Sequence, residues 1–296
     1  MAKKKRMLGA LPPREDHRTL RLSAYLDRAA LPPVPASTNY RSKVPSWGVM
    51  LNDTIGCCAI AGPGHNIQTW TANVGPMYVP ADADILTAYK ACSGYDGTPA
   101  TDKGCVVLDV YNYWRSKGIS GHKLGAYAAL HLGNHAEVQQ SVYFFDGVGV
   151  GIQLPKAWQN ATKWQAPTTA NPPAAWAPGS WGGHYVPILD FDANWLYVLS
   201  WGMVIPMSWH AYDTYVVESY ALFSQDWFNG ANVAPNGFDL WALAQDLQDI
   251  TGTVVPVPPK PSPTPPAPPP PVGAGLTFTM FPDKKTVTVP AGWTLN

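Results

Sequence analysis

Asn52-Asp53-Thr54-Ile55-Gly56-Cys57-Cys58-Ala59-Ile60-Ala61 is the stretch on which the reading of this chain turns. A glycine and two cysteines run into small apolar residues, as a tight turn does where it feeds the first turn of a helix. A thiol at that point meets the positive end of the helix dipole, which favours its thiolate form. The same residues also suit an inert buried turn, because free cysteine is among the most buried residue types. The surrounding chain has to separate a reactive thiol from a filler.

From Cys58 to about Ala72, Ile60, Ile67 and Trp70 fall at helical spacing. Pro63 costs little in a first turn, so the helix is expected to start near Cys58 or a little after it. Asp82–Ala91, with Asp82 or Asp84 near its cap, and Val106–Lys117, stopped by Gly118, read as further helices. A short helix at His135–Ser141 follows, and then the period shortens. Val142–Phe145, Val148–Leu154, Gly183–Asp190 and Trp195–Trp201 read as strands, with Pro206–Tyr212 closing a sheet. Residues 155–180 form a loop rich in Trp, Pro and Ala, and Asp239–Ile250 reads as an amphipathic helix. Helices first and strands later make an α+β chain, in which a helical lobe faces a β lobe across a cleft.

Outside this region, residues 1–32 read as an irregular arm, with a short helix near Leu20–Arg28, ahead of a domain at 33–252. Residues 253–275 are proline-rich and favour polyproline II, either as a semi-rigid spacer or as a docking ligand. Residues 276–296 alternate around Pro282-Asp283-Lys284-Lys285 as a two-stranded ribbon too small to stand alone, an attachment segment for a virion or self-assembly partner. Lys+Arg and Asp+Glu both number 20, so global charge argues neither for nor against a polyanionic partner; the basic Met1–Arg6 reads as a solvated tail rather than a nucleic-acid contact, and no nucleic acid is expected. No apolar run approaches the ~18 residues of a membrane span. Met7–Leu11 is too short for a signal-peptide core, so the expected location is cytoplasmic or virion-associated. Four cysteines make no disulfide scaffold, though Cys92 and Cys105 could pair. His131 and His135 sit four apart, but no carboxylate cluster completes a metal site; neither metal nor cofactor is expected. Trp176, Trp181 and Trp209 suit either a sugar or peptide platform or simple packing.

A cysteine nucleophile needs a base in contact. His184 is the candidate, after Gly182-Gly183 at the start of a strand and about 130 residues beyond Cys58. In order along the chain stand Pro35–Arg41, Asn52…Gly56-Cys57-Cys58, Asp102-Lys103-Gly104…Asn112-Tyr113-Trp114…Gly118-Ile119, Glu137-Val138…Gly147–Ile152, Gly183-His184-Tyr185-Val186 and Ser200-Trp201-Gly202. Together they resemble papain-like cysteine peptidases over roughly residues 33–230, and the Asn52…Cys58 element is also similar to chains from phage and prophage contexts. The resemblance implies a two-lobe fold and a peptide or protein substrate. Cys58 would attack an amide carbonyl and His184 would protonate the leaving amine. The Asn52 amide and the Cys58 N–H would hold the oxyanion, Gly56 and Gly183 would border the substrate, and Trp201 would shield the His184 contact.

This sequence departs from the family pattern in three places. Ala59 replaces an aromatic residue, and Asn52 is one methylene shorter than the usual glutamine. Leu199 stands where an asparagine orients the histidine, and leucine accepts no hydrogen bond. Ser200, Asp190 and Asp192 are the candidates to replace it. Cys57 is a resolving thiol or a small filler. Two readings follow: a cysteine peptidase or amidase, with a peptidoglycan-directed amidase as a variant, and a papain-fold structural or binding protein whose chemistry is weak or lost.

Overall fold

A computed structural model of the chain describes residues 5–24 and 33–228, together with the backbone of 276–280 and 285–289. The expected helix Asp239–Ile250 and the proline-rich segment 253–275 lie outside the described residues. The chain divides into two units between Pro258 and Pro259. The first unit begins with three helices, α1 (Cys58–Val74), α2 (Asp82–Ser93) and α3 (Val107–Ser116). There follow β1 (Leu124–Ala129), α4 (His135–Phe145), β2 (Val148–Leu154), β3 (Gly182–Phe191), β4 (Trp195–Ser200), β5 (Met203–Ser208), α5 (Trp209–Tyr215), β6 (Val216–Ser224) and α6 (Gln225–Phe228). The six strands form one antiparallel sheet in the order β1-β6-β2-β3-β4-β5. In the second unit, β7 (Leu276–Met280) and β8 (Lys285–Val289) pair antiparallel, as the ribbon pattern predicts.

Local chemistry explains most of these elements. α2 carries Asp82 and Asp84 in its first turn and Lys90 in its last, each complementing the helix dipole, and Gly94 ends it at φ 73°. α3 turns Val107, Val110, Tyr111 and Trp114 inward. α1 is buried all round from Cys58 to Trp70, which is why its sequence is small and apolar with few charges. Pro63 is its sixth residue rather than part of its first turn, so the Ala59 carbonyl loses its helical partner.

The sheet separates two cores. On β2, Val148, Val150, Ile152 and Leu154 face a core shared with Val138, Val142 and Phe145 of α4 and Tyr212 and Tyr215 of α5. Gly149 and Gly151 alternate with them and leave the other face bare. Tyrosines fill that face: Tyr111 from α3 and Tyr185 from β3 share a 2.9 Å hydroxyl hydrogen bond, and Tyr220 lies edge-on to Tyr111 at 5.3 Å. A Cβ on Gly149 would sit 2.0 Å from the Tyr185 hydroxyl and 2.3 Å from that of Tyr111. The seam between helices and sheet therefore depends on two alternate glycines of β2, Gly149 and Gly151.

Several expectations change. Val142–Phe145 belongs to α4, not to a strand: Val138, Val142 and Phe145 recur at helical spacing and are buried, and Asn134 caps the helix by accepting from the Glu137 amide. Pro206–Tyr212 splits, because the Ser208 side chain accepts from the Ala211 amide and starts α5 there. β4 stops at Ser200, since Trp201 (φ 49°) and Gly202 (φ 71°) make the turn into β5. At 20–28 the described part is a short 3-10 turn, Leu22–Ala24. β1 and β6 are strands for which the sequence reading had no element. Cys92 and Cys105 are both free thiols.

Gly149→Ala tests the seam. It should lower stability by about 2–3 kcal/mol, in the range for overpacking a closed core, read as a lower denaturant midpoint at unchanged m-value.

Candidate functional site

The cysteine turn is built before the helix that follows it. Cys57 is the N-cap of α1, its carbonyl accepts from Ala61, and Cys58 is the first helical residue. Ahead of it the backbone folds tightly, with Met50 at φ 47° and Leu51 at φ 65°, conformations that non-glycine residues adopt only under constraint. Asp102 supplies one constraint: its carboxylate accepts the Gly56 amide at 2.9 and 3.2 Å and the Tyr89 hydroxyl at 2.5 Å. The Cys57 thiol donates to the Met50 carbonyl at 3.3 Å inside the core, which fits the filler reading. Asn52 is buried, and its amide donates to the Ile55 carbonyl at 3.3 Å.

β3 brings His184 to the same place. Its Nε2 pairs with the Ser200 hydroxyl at 2.7 Å, and its ring stacks on Trp201 at 4.5 Å and 17°. Nδ1 is buried without a partner and is the nitrogen left for Cys58. No hydrogen bond joins Cys58 to His184, yet both line one small cavity of about 10 Å³ with Asn52, Ser200 and Trp201. Leu199 lines it too and offers no acceptor. The other two candidate orienters are taken elsewhere. Asp190 accepts from the Tyr40 amide (2.6 Å), the Arg41 amide (3.1 Å) and the Arg41 guanidinium (2.8 Å). Asp192 holds the amides of Asn194 and Trp195 and the Tyr197 hydroxyl. Of the three, Ser200 alone meets His184.

A strap from the chain itself crosses this site. The Met7 amide donates to the Asn52 carbonyl (3.2 Å), Ala10 to Gly183 (3.3 Å), Cys105 to Gly9 (2.8 Å) and Leu11 to Cys105 (3.0 Å). The Trp201 indole donates to the Met7 carbonyl at 3.0 Å, and the Arg6 guanidinium lies 5.0 Å over the same ring. The strap fits because glycines meet glycines. A Cβ on Gly9 would lie 1.7 Å from the Gly56 carbonyl oxygen, one on Gly104 2.1 Å from the Gly9 oxygen, and one on Gly183 2.1 Å from the Ala10 oxygen. Gly56, Gly183 and Trp201 thus border an extended peptide, and that peptide is Met7–Leu11. Met7–Leu11, an apolar run too short for a signal-peptide core, packs here through its backbone.

Burial sets the charge state. Cys58 is 2% exposed and His184 1%. Desolvation pushes the Cys58 thiol up to about 12, although the amides of Tyr185 and Gly9 beside it pull the other way. Burial lowers His184 to about 3, and the positive charge of Arg6 adds to the effect. Under the strap the pair is thiol and neutral imidazole at pH 7, and desolvation outweighs the helix dipole.

The remaining candidates fall apart from the site. His131 pairs with Glu137 (2.9 Å) and His135 with Asp213 (2.8 Å), and no group of three metal-ligating side chains occurs among the described residues. Trp181 lies 5.5 Å from Trp201 at the edge of an open cleft of about 700 Å³. Trp209 packs against His135 with the rings tilted by 32°, and the Trp176 carbonyl accepts from Tyr215, so the three tryptophans form no single platform. Among the described residues no helix is long and apolar enough to cross a membrane. The sequence alone does not place Asp102 or the strap in the site. Asp102 stands out only within the Asp102-Lys103-Gly104 segment, and the one local signal of the strap is an apolar run interrupted by Gly9.

No family model matches the sequence, and no curated protein is significantly similar to it. Solved structures are similar in fold. Xylellain, a cysteine protease from Xylella fastidiosa, matches at TM-score 0.59 and 11% identity over 76% of this chain and 98% of its own. The cysteine protease and lectin-like domains of a surface layer associated protein of Clostridium difficile match at 0.52 and 10%, over 75% of this chain and 57% of theirs. A procathepsin B from Trypanosoma congolense matches at 0.51 and 12%, over 76% and 88%. The first unit therefore has the papain-like two-lobe fold expected from the ordered motifs.

Gly9→Leu in the full chain should expel the strap, because no side chain fits against the Gly56 carbonyl. Amide exchange at Gly9, Ala10 and Leu11 should accelerate by at least ~10-fold while that of α1 and β3 is unchanged; unaltered protection would show that the strap tolerates the change.

Proposed function

We propose that this chain is a papain-type cysteine peptidase in which Cys58 is the nucleophile and His184 the base and acid, and that its own Met7–Leu11 strap holds it closed. The observation that carries the reading is the shared cavity. The first residue of a helix and a strand histidine meet there, and the histidine is held by Ser200 with its other nitrogen free.

With the strap displaced, water enters and the desolvation penalty on both charges falls. The Cys58 proton moves to Nδ1 of His184, leaving a thiolate at the helix N-terminus and an imidazolium whose Nε2–H donates to Ser200. A substrate strand lies along Cys105 and Gly183, whose backbones already pair with the strap. The thiolate attacks the amide carbonyl carbon. The oxyanion takes hydrogen bonds from the Cys58 amide and from Asn52, whose side chain leaves Ile55 to do so; one such donor is worth about 3 kcal/mol. His184 gives its Nδ1 proton to the leaving amine as the C–N bond breaks. It then takes a proton from the water that hydrolyses the thioester, which regenerates the thiol.

Iodoacetamide labelling tests this. In the wild-type chain, alkylation of Cys58 should rise only in strongly alkaline solution, following the raised thiol. In the Gly9→Leu chain the rise should move to the neutral side of the ordinary thiol value of about 8.5. Adding His184→Ala should return it to the alkaline side, and Cys58→Ser should abolish peptide hydrolysis. A Cys58 that stays unreactive at pH 7 after the strap is displaced would sink the reading.

A further inference from the structure

α1 carries a second histidine into the same cavity. His65 follows Cys58 by seven residues, about two helical turns, on the same face. It is 3% exposed and lines the cavity shared by Cys58, His184 and Ser200. The mechanism above makes no use of it.

Its neighbours fix which nitrogen bears the proton. The Gln68 amide nitrogen donates to the Ser46 carbonyl at 3.1 Å, so the Gln68 oxygen is the atom turned to His65 Nδ1, 3.4 Å away. An oxygen there accepts, so Nδ1 carries the hydrogen and Nε2 presents a lone pair. Nε2 has no hydrogen-bond partner among the described residues. Trp47 packs edge-on against the ring at 5.7 Å and holds its plane. Burial lowers His65 to about 4, which keeps it neutral and an acceptor across the neutral range.

Ser200 lacks what His65 offers. To accept Nε2–H from His184, its hydroxyl must send its own hydrogen elsewhere, and Leu199 supplies no acceptor. The cavity of about 10 Å³ is the size that admits one water. We propose that His65 is a positioning residue: it ends a relay in which His184 Nε2–H donates to Ser200, Ser200 donates to one cavity water, and that water donates to His65 Nε2. The relay replaces the asparagine that this chain lacks at Leu199. Each hydrogen stays on its own heavy atom, and cooperative polarisation along the row strengthens the bond to the imidazolium. The inference rests on the proposed Cys58–His184 chemistry.

Nitrogen NMR of the full wild-type chain reads the tautomer of His65 without reference to activity. The expected form is Nδ1–H with an unprotonated Nε2, and the opposite tautomer would overturn the relay. Alkylation of Cys58 in the full-length Gly9→Leu chain then reads its effect. His65→Phe keeps the ring against Trp47 but removes the acceptor, and should slow labelling at pH 7 by about 10-fold. His65→Gln restores an acceptor and should recover most of that loss. A His65→Phe rate equal to that of Gly9→Leu alone overturns the relay, and so does a glutamine variant as slow as the phenylalanine one. If Gly9→Leu alone leaves Cys58 unreactive, the peptidase reading fails first, and the tautomer separately decides whether His65 is an acceptor.

Discussion

Tyr185 sets the distance between the two halves of this protein. It follows His184 on β3, and its ring lies where a Cβ on Gly62 of α1 would be, 2.3 Å away. Its hydroxyl reaches Tyr111 of α3 over the bare face of β2 at Gly149. One side chain therefore ties the histidine strand to the cysteine helix and to the helix behind it. Four positions pay for it with glycine or hydroxyl: Gly62, Gly149, Tyr111 and Tyr185 itself. Cys58 and His184 line one cavity because this seam holds their elements together.

That packing also makes the site electrostatically unfavourable to itself. A helix N-terminus favours a thiolate by an amount of order 1 kcal/mol, whereas full burial shifts an ionisable group by several times that. With Met7–Leu11 seated, burial wins on both members of the pair, and Arg6 beside Trp201 further disfavours the imidazolium. In the proposed closed state, the strap excludes water as well as occupying the cleft. Its hold is mostly backbone hydrogen bonding, which needs close approach, and close approach needs glycine at Gly9, Gly56, Gly104 and Gly183.

The histidine's environment shows how a local loss is absorbed. Leu199 offers no side-chain acceptor, and Ser200, one residue on, is the side chain that pairs with His184 at 2.7 Å. The carboxylates nearest in sequence do not help, because each already satisfies three donors: Asp190 holds Tyr40 and Arg41, and Asp192 closes the turn into β4. Proximity in sequence is a poor guide to which acceptor is free.

By itself, the sequence determined the order of motifs, the helix that begins at Cys58, the α+β class, the C-terminal ribbon and the pairing of Cys58 with His184 and Ser200 as candidates. These are readable because capping, period and glycine placement act over a few residues. It misread Val142–Phe145 as a strand, since four consecutive apolar residues carry no period; the burial of Val138, Val142 and Phe145 on one face decided for a helix. It left β1 and β6 unread. Long-range packing decided the rest: the strap in the cleft, Asp102 under Gly56, Ser200 rather than Asp190 behind His184, and His65 at the same cavity. Each is a contact across 16 residues or more, or across two turns of a helix, and the fold alone brings those groups within reach.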